Sequence, residues 1–258
     1  MTMRMVLTAY CFVQFAVQVL WLGKWVMPRI MKRGGASIEK RSRALLHAHQ
    51  HVSLYLKTLS RLGLVEFQFR GEVMKEPAVV VANHPSLLDF IVLLRDYPNA
   101  ICLYKSQTRS NPVLSEFVKV AGYVEGMDGT RAASKRIVDE CCQRLEEGHH
   151  VVFFPEGTRS KSNLSLGRFR STGFHAAISS GLPVQPVVIY CKPLFLGKHQ
   201  SWKEFSAAKN LMVIEFLKPV YVTDLPEDMR SAKALADHVR KIIKERLTEL
   251  ESAKSDAV

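Results

Sequence analysis

A histidine and an aspartate five positions apart, in Asn83-His84-Pro85-Ser86-Leu87-Leu88-Asp89, are residue types at a spacing that can do chemistry. A carboxylate bonded to one imidazole nitrogen fixes the tautomer and leaves the other nitrogen as a general base, the logic of a serine-protease triad without its serine. Five residues on a regular helix turn through about 500°, so the pair meets only if His84 lies outside the helix. Pro85, suited to the first position of a helix, puts His84 at a strand-to-helix turn and allows the encounter. A second block reads Phe154-Pro155-Glu156-Gly157-Thr158-Arg159-Ser160. Glu156 and Arg159, with Gly157 permitting close backbone approach, suit a polar or phosphorylated substrate. A third block is Leu182-Pro183-Val184-Gln185-Pro186.

These blocks need a frame that brings them together. Short β-branched runs are predicted as strands at 77–83, 100–105, 150–156, 184–191 and 211–217, with helical patterns at 86–95, 112–121, 130–147, 166–180 and 231–250 between or after them. Strands alternating with helices predict an α/β fold, one domain with a mixed, largely parallel central sheet flanked by helices. In such sheets ligands gather at strand ends, which is where the blocks fall. Upstream, 37–62 reads as an amphipathic helix, with Leu45, His49, Val52, Leu56 and Leu59 at three- and four-residue steps. The expected organisation is an N-terminal anchor and basic flank at 1–33, an amphipathic helical segment at 34–70, the α/β domain at 71–250 and a polar tail at 251–258.

Thirty-six Lys and Arg against 24 Asp and Glu leave a net charge of +12 on 258 residues, and +9 of it lies in the first 70. That balance implies an anionic partner. No charged residue stands between Arg4 and Lys24, a run that as a helix reaches about 28 Å, against roughly 30 Å for a hydrocarbon core. Trp21 and Trp25 mark an interfacial end, and Lys24, Arg29, Lys32 and Arg33 follow. The expectation is an uncleaved helix that spans the membrane or lies in its interface, with the rest of the chain on the cytoplasmic side of an inner membrane. A cleaved signal peptide is disfavoured, because basic residues occupy the place of the cleavage site. Nucleic acid is not an expected partner, since no aromatic platform or recognition helix accompanies the basic residues. Five scattered cysteines with no CxxC pair predict neither a disulfide framework nor a zinc site. His47, His49 and His51 read as a helix face, and no metal or other cofactor is expected.

The three blocks, in this order and each at a strand end, resemble the PlsC-like glycerolipid (lysophospholipid) acyltransferase family, whose motifs NHxxxxD, FPEGTRS and Val/Leu-Pro-Val are matched by NHPSLLD, FPEGTRS and LPV. The resemblance covers roughly 75–220. It implies that His84 removes the proton of an acceptor hydroxyl, that Asp89 orients it, and that the oxygen attacks the thioester of acyl-CoA or an acyl-carrier protein. No covalent acyl-enzyme is implied, in keeping with the lack of a GxSxG elbow. It further implies substrate-binding roles for Asn83, Ser86, Lys105, Glu156, Gly157, Thr158, Arg159, Ser160 and Pro183, with Arg159 contacting phosphate where the acceptor carries one. The implied acceptor is a lysophospholipid hydroxyl, foremost 1-acyl-sn-glycerol-3-phosphate giving phosphatidic acid. The middle block departs from the pattern, with Glu125 and Asp128 where lysophosphatidate enzymes carry an Arg and with Arg131 offset. That departure, together with a likeness to acyltransferase-like proteins of aryl-polyene lipid pathways, leaves a different acceptor open. A thioester hydrolase using the same base, and a non-catalytic lipid-binding protein, are the readings from other classes.

Overall fold

The structure is a computed structural model that describes residues 3–104, 108, 110–111, 114–126, 131–201 and 209–255, without the side chains of 116, 131, 132, 254 and 255. The chain divides into two compact units, Met1–Leu64 with Phe90–Val151 and Val65–Asp89 with Val152–Val258; in the second, the strands Val65–Gly71, Asn210–Phe216, Val184–Lys192, Val79–Ala82 and Val151–Phe153 lie side by side in that order.

In the first unit, α1 (Met3–Trp21) continues through a π-helical stretch, Leu22–Val26, into α2 (Met27–Lys32), and α3 (Ser37–Arg61) folds back along it. The pairing is antiparallel: Phe15 meets Tyr55 with ring centroids 5.2 Å apart, Trp21 meets His51 at 5.4 Å, and Gln14 Nε2 donates to Thr58 Oγ1 at 3.4 Å. Cys11, Val19 and Leu22 turn inward with Ala48, Val52, Tyr55 and Leu59, while Val6, Tyr10, Val13, Val17 and Trp21 form an exposed row at three- and four-residue steps. Strands β3 (Ile101–Tyr104) and β4 (Val124–Glu125) pair in parallel, with α5 (Ser115–Val120) between them in sequence and α6 (Arg131–Glu146) after. Arg41 of α3 pairs with Glu147, which Arg144 also contacts at 3.1 Å, and its guanidine lies over Gly122. Gly122 has φ +71°, a left-handed conformation that favours glycine, and a Cβ there would meet the Arg41 guanidine.

The second unit carries β1 (Val65–Gly71), β2 (Val79–Ala82), β5 (Val151–Phe153), β6 (Val184–Lys192) and β7 (Asn210–Phe216), with α7 (Thr172–Ser180) and α8 (Ala232–Ser255). β1 pairs with β7 and β2 with β6 in parallel, whereas β6 and β7 are antiparallel. The sheet is thus mixed and largely parallel, as expected. Burial on both faces explains the uninterrupted Val79-Val80-Val81 and the almost wholly buried β6.

Four element expectations are corrected. The helix expected at 37–62 is present as Ser37–Arg61, but the helical segment drawn as far as residue 70 also holds a strand, Val65–Gly71, whose Val65, Phe67 and Phe69 alternate with polar residues, the period of two that marks a strand. The expected helix 86–95 shrinks to α4 (Asp89–Leu93), so Pro85 is not its first residue. The expected helix 166–180 begins only at Thr172. The expected polar tail starts inside α8, which runs to Ser255.

Candidate active site

The site is built within the second unit, where β2 ends. Asn83 is fully buried, and its side chain continues the ladder: Nδ2 donates to Ile189 O at 2.7 Å, and Oδ1 accepts from Ile189 N at 2.8 Å. The amide therefore behaves as one more backbone pair between β2 and β6, and releases the chain into a turn at His84. The turn is closed by the aspartate. Asp89 Oδ2 accepts from Ser86 N at 2.8 Å, and Ser86 Oγ accepts from Leu88 N at 3.3 Å. This local side-chain bonding competes with helix and explains why α4 starts at Asp89.

The same Asp89 oxygen lies 2.7 Å from His84 Nδ1. An ionised carboxylate can only accept, so Nδ1 carries the proton and Nε2 presents its lone pair. The His84 side chain is 24% exposed, while that of Asp89 is fully buried. Phe154 stacks on the imidazole with centroids 4.4 Å apart. Burial pushes the Asp89 carboxyl up from its ordinary range, and the hydrogen bond and charge of His84 and the Ser86 amide pull it back. Its Oδ1 has no hydrogen-bond partner among the described residues. The arrangement is a desolvated carboxylate holding one tautomer of a partly exposed imidazole.

Burial raises the thiols nearest the interior. Cys191 is buried and pushed well above its ordinary range, first by burial and then by the Asp89 charge, and burial takes Cys102 and Cys141 up to about 12. Among the described residues no group of three or more His, Cys, Asp or Glu could hold a metal.

The FPEGTRS block follows β5 and wraps the His84 turn. Glu156 Oε1 accepts from His84 N at 3.1 Å and from Ser160 Oγ at 2.8 Å, and Oε2 accepts from Gly167 N at 2.9 Å. Gly157 has φ +68°, a left-handed turn conformation that favours glycine, and the Arg170 guanidinium packs on it, 2.9 Å from where a Cβ would stand. Thr158 is exposed. Arg159 Nη1 donates to Leu196 O at 2.7 Å and Gly197 O at 2.9 Å, and Leu87 N donates to the same Leu196 O at 3.1 Å.

Of the residues expected at the site, the structure thus gathers His84, Asp89, Glu156, Gly157, Arg159 and Ser160. Asn83 and Ser86, expected to bind substrate, are fully buried and spend their polar atoms on the protein's own turn. Pro183 is at the wrong end of its strand. Its carbonyl accepts from Val79 N, and Val184 is in register with Val79, so it lies at the start of β2, roughly 16 Å of extended chain from His84. Lys105 and Asp128 lie outside the described residues. The sequence reading missed Phe154 as the stacking partner of the base, and the 194–197 segment as the partner of Arg159. Phe154 was readable as an aromatic at a strand exit, whereas the carbonyls of Leu196 and Gly197 leave no trace in residue type.

A family model described as Acyltransferase matches residues 64–190. A 1-acyl-sn-glycerol-3-phosphate acyltransferase of Neisseria meningitidis is 30% identical over 60% of this chain and 58% of that protein, and one from Escherichia coli is 24% identical over 67% and 68%. A lyso-ornithine lipid O-acyltransferase of Rhodobacter capsulatus is 29% identical over 69% and 70%. The chain spans little more than half the length of the Neisseria meningitidis relative, and 43% of a Neisseria gonorrhoeae one. The crystal structure of PlsC, a 1-acyl-sn-glycerophosphate acyltransferase from Thermotoga maritima, shares the fold at a TM-score of 0.75 over 95% of both chains, with 22% identity.

Proposed function

We propose that this chain is a PlsC-like acyltransferase, a reading supported by the Acyltransferase model over residues 64–190 and by the named relatives, and that it moves a fatty acyl group from an acyl thioester to the hydroxyl of a lysophospholipid at a membrane surface. The observation that carries this reading is the 2.7 Å bond between His84 Nδ1 and the buried Asp89 carboxylate, which leaves Nε2 as the base. Nε2 takes the proton of the acceptor hydroxyl as its oxygen attacks the thioester carbonyl. The tetrahedral intermediate collapses by expelling the thiolate, which recovers that proton from the imidazolium, giving an ester and a free thiol. A positioned base supplies about 10²–10⁴-fold. The Asp89 charge stabilises the imidazolium, and holding donor and acceptor together supplies more.

The acceptor proposed first is 1-acyl-sn-glycerol-3-phosphate, which the names of the Neisseria and Escherichia coli relatives support. A lyso-lipid without that phosphate is the second reading, because Arg159, the expected phosphate ligand, already donates to two backbone carbonyls. The Rhodobacter capsulatus relative supports it too. Acyl-CoA and acyl-carrier protein are both proposed donors.

Met3–Lys32 is long and apolar enough to cross a bilayer by length and composition. Its pairing with α3 favours lying in the interface. Thr58 sits beside Gln14, which brings exposed Lys57 and Arg61 alongside the middle of α1. A spanning α1 would carry both charges to the bilayer centre, at about 2.5–3.5 kcal/mol each. An interfacial helix instead sinks the row from Val6 to Trp21 and leaves the α3 charges at the headgroups. Arg33, Arg43 and His47 line a shallow pocket with Ile30, Leu46 and Gln50, which suits contact with anionic headgroups. The surface proposed is the cytoplasmic face of the inner membrane.

The test offers acyl-CoA and acyl-carrier protein side by side to both acceptors in vesicles, with products read by lipid mass spectrometry and His84→Ala as control. Ester that depends on acceptor and on His84 is expected. Fatty acid released without acceptor would replace the reading with a hydrolase, and binding without turnover would replace it with a lipid-binding protein.

A further inference from the structure

His84 belongs to no regular element: β2 ends at Ala82 and α4 begins at Asp89. A base on a turn needs something to hold its backbone, and the FPEGTRS block takes both of its backbone polar groups. His84 N donates to Glu156 Oε1 at 3.1 Å, and His84 O accepts from Ser160 N at 2.6 Å. Ser160 Oγ closes the loop by donating to the same Glu156 oxygen at 2.8 Å, and Gly167 N occupies the other at 2.9 Å. Three donors converge on one carboxylate, and none of them is substrate. Gly167 completes the fit, since a Cβ there would lie 3.2 Å from Glu156 Oε2.

We propose that Glu156 is a positioning residue for His84, working with Ser160, and not a ligand of the acceptor. It fixes where the imidazole starts from, while Asp89 and Phe154 fix how the ring is turned. Base catalysis is sensitive to this placement, because a displacement of about 1 Å costs on the order of 10²-fold. The proposal rests on the acyltransferase reading for its kinetic readout, but not for its structural one.

The experiment compares Glu156→Ala, Glu156→Gln and Ser160→Ala in the full chain, measuring kcat, both KM values and hydrogen exchange of backbone amides 79–89. In Glu156→Ala, kcat is expected to fall about 100-fold while the acceptor KM stays within about threefold. The His84 amide is expected to exchange at least about tenfold faster, with Val80 to Ala82 unchanged. Glu156→Gln should regain about tenfold in kcat, because an amide oxygen still accepts from His84 N and Ser160 Oγ and only the Gly167 contact is lost. Ser160→Ala should show the same pattern at smaller amplitude. Should Glu156→Ala not fold, the other two variants carry the test.

An acceptor KM raised about tenfold with kcat retained would make Glu156 an acceptor ligand and overturn the proposal. So would a Gln variant as inactive as Ala with its fold intact, or an unchanged His84 exchange rate. If the wild-type chain transfers to no acceptor, it is the functional reading that fails, and the exchange rates alone decide the positioning role.

Discussion

Replacing Asp89 by Asn separates what the carboxylate does by charge from what it does by shape. In the structure Oδ2 accepts two N–H donors, from His84 Nδ1 and Ser86 N, while Oδ1 has no partner among the described residues. An Asn side chain has one good orientation. Its oxygen takes the Oδ2 place and keeps both bonds, with the NH2 at the unpartnered position. The flipped orientation sets two donors against two donors. The tautomer of His84 is therefore preserved, and the loss is the attraction between carboxylate and imidazolium in the transition state. With charge centres about 4 Å apart and an effective dielectric constant near 20, that attraction is about 4 kcal/mol. The stronger hydrogen bonding of an ionised acceptor sets a lower figure of about 2 kcal/mol. A drop in kcat of about 30- to 1000-fold is expected. Asp89→Ala also frees the ring and leaves the Ser86 amide unpaired in the interior, adding about 1–3 kcal/mol, so it should fall at least about tenfold further. The assay is thiol release from an acyl thioester with saturating acceptor, checked by thermal melting. The Asn variant should melt close to wild type, since it removes a desolvated charge but leaves its NH2 buried without a partner. Equal activity of Asn and Ala variants, or an Asn variant within about threefold of wild type, would refute the account of how the pair works.

Asn83→Ala should strand both the N–H and the carbonyl of Ile189 in the core, costing about 2–6 kcal/mol in urea unfolding at about 1–3 kcal/mol per group; a loss under about 0.5 kcal/mol would show that the side chain is not part of the ladder. His149 is buried beside Asn99 O at 3.0 Å, and burial holds its imidazole below the ordinary value. The unfolded chain then takes up a proton near pH 6.5 that the folded chain refuses, so this contribution to stability is full above that pH. It is lost as the pH falls toward the folded value, by up to about 1.4 kcal/mol per unit. His51, held down by burial and then by His47, acts in the same direction. His149→Gln should flatten the fall of the urea midpoint below about pH 6.5, and an unchanged slope would count against the buried neutral imidazole.

The parts of this protein that were legible from sequence are those in which physics acts over a few residues. His84 and Asp89 are five apart, and the competition between Asp89 and the backbone of Ser86 is local chemistry, so the pair was readable even though the helix start was misplaced by the attention given to Pro85. The apolar run of α1 and the alternation of β1 were both written in periodicity, the first read and the second overlooked. Glu156 and Arg159 were recognised as special, but their backbone partners could not be named. A buried polar side chain must find partners, and nothing in its type says whether those are substrate or backbone.

The order of motifs, the α/β alternation, the basic N-terminal third and the pairing of His84 with Asp89 were determined by the sequence itself, because each rests on near neighbours or on composition. The tertiary structure alone decided that Glu156 and Ser160 grip the backbone of His84, that Arg159 binds Leu196 and Gly197, that Asn83 extends the β2–β6 ladder, and that Pro183 sits at the far end of a strand from the base. Those contacts join residues from 4 to 106 positions apart. Their pairing is set by parallel register, and a one-dimensional pattern carries no register.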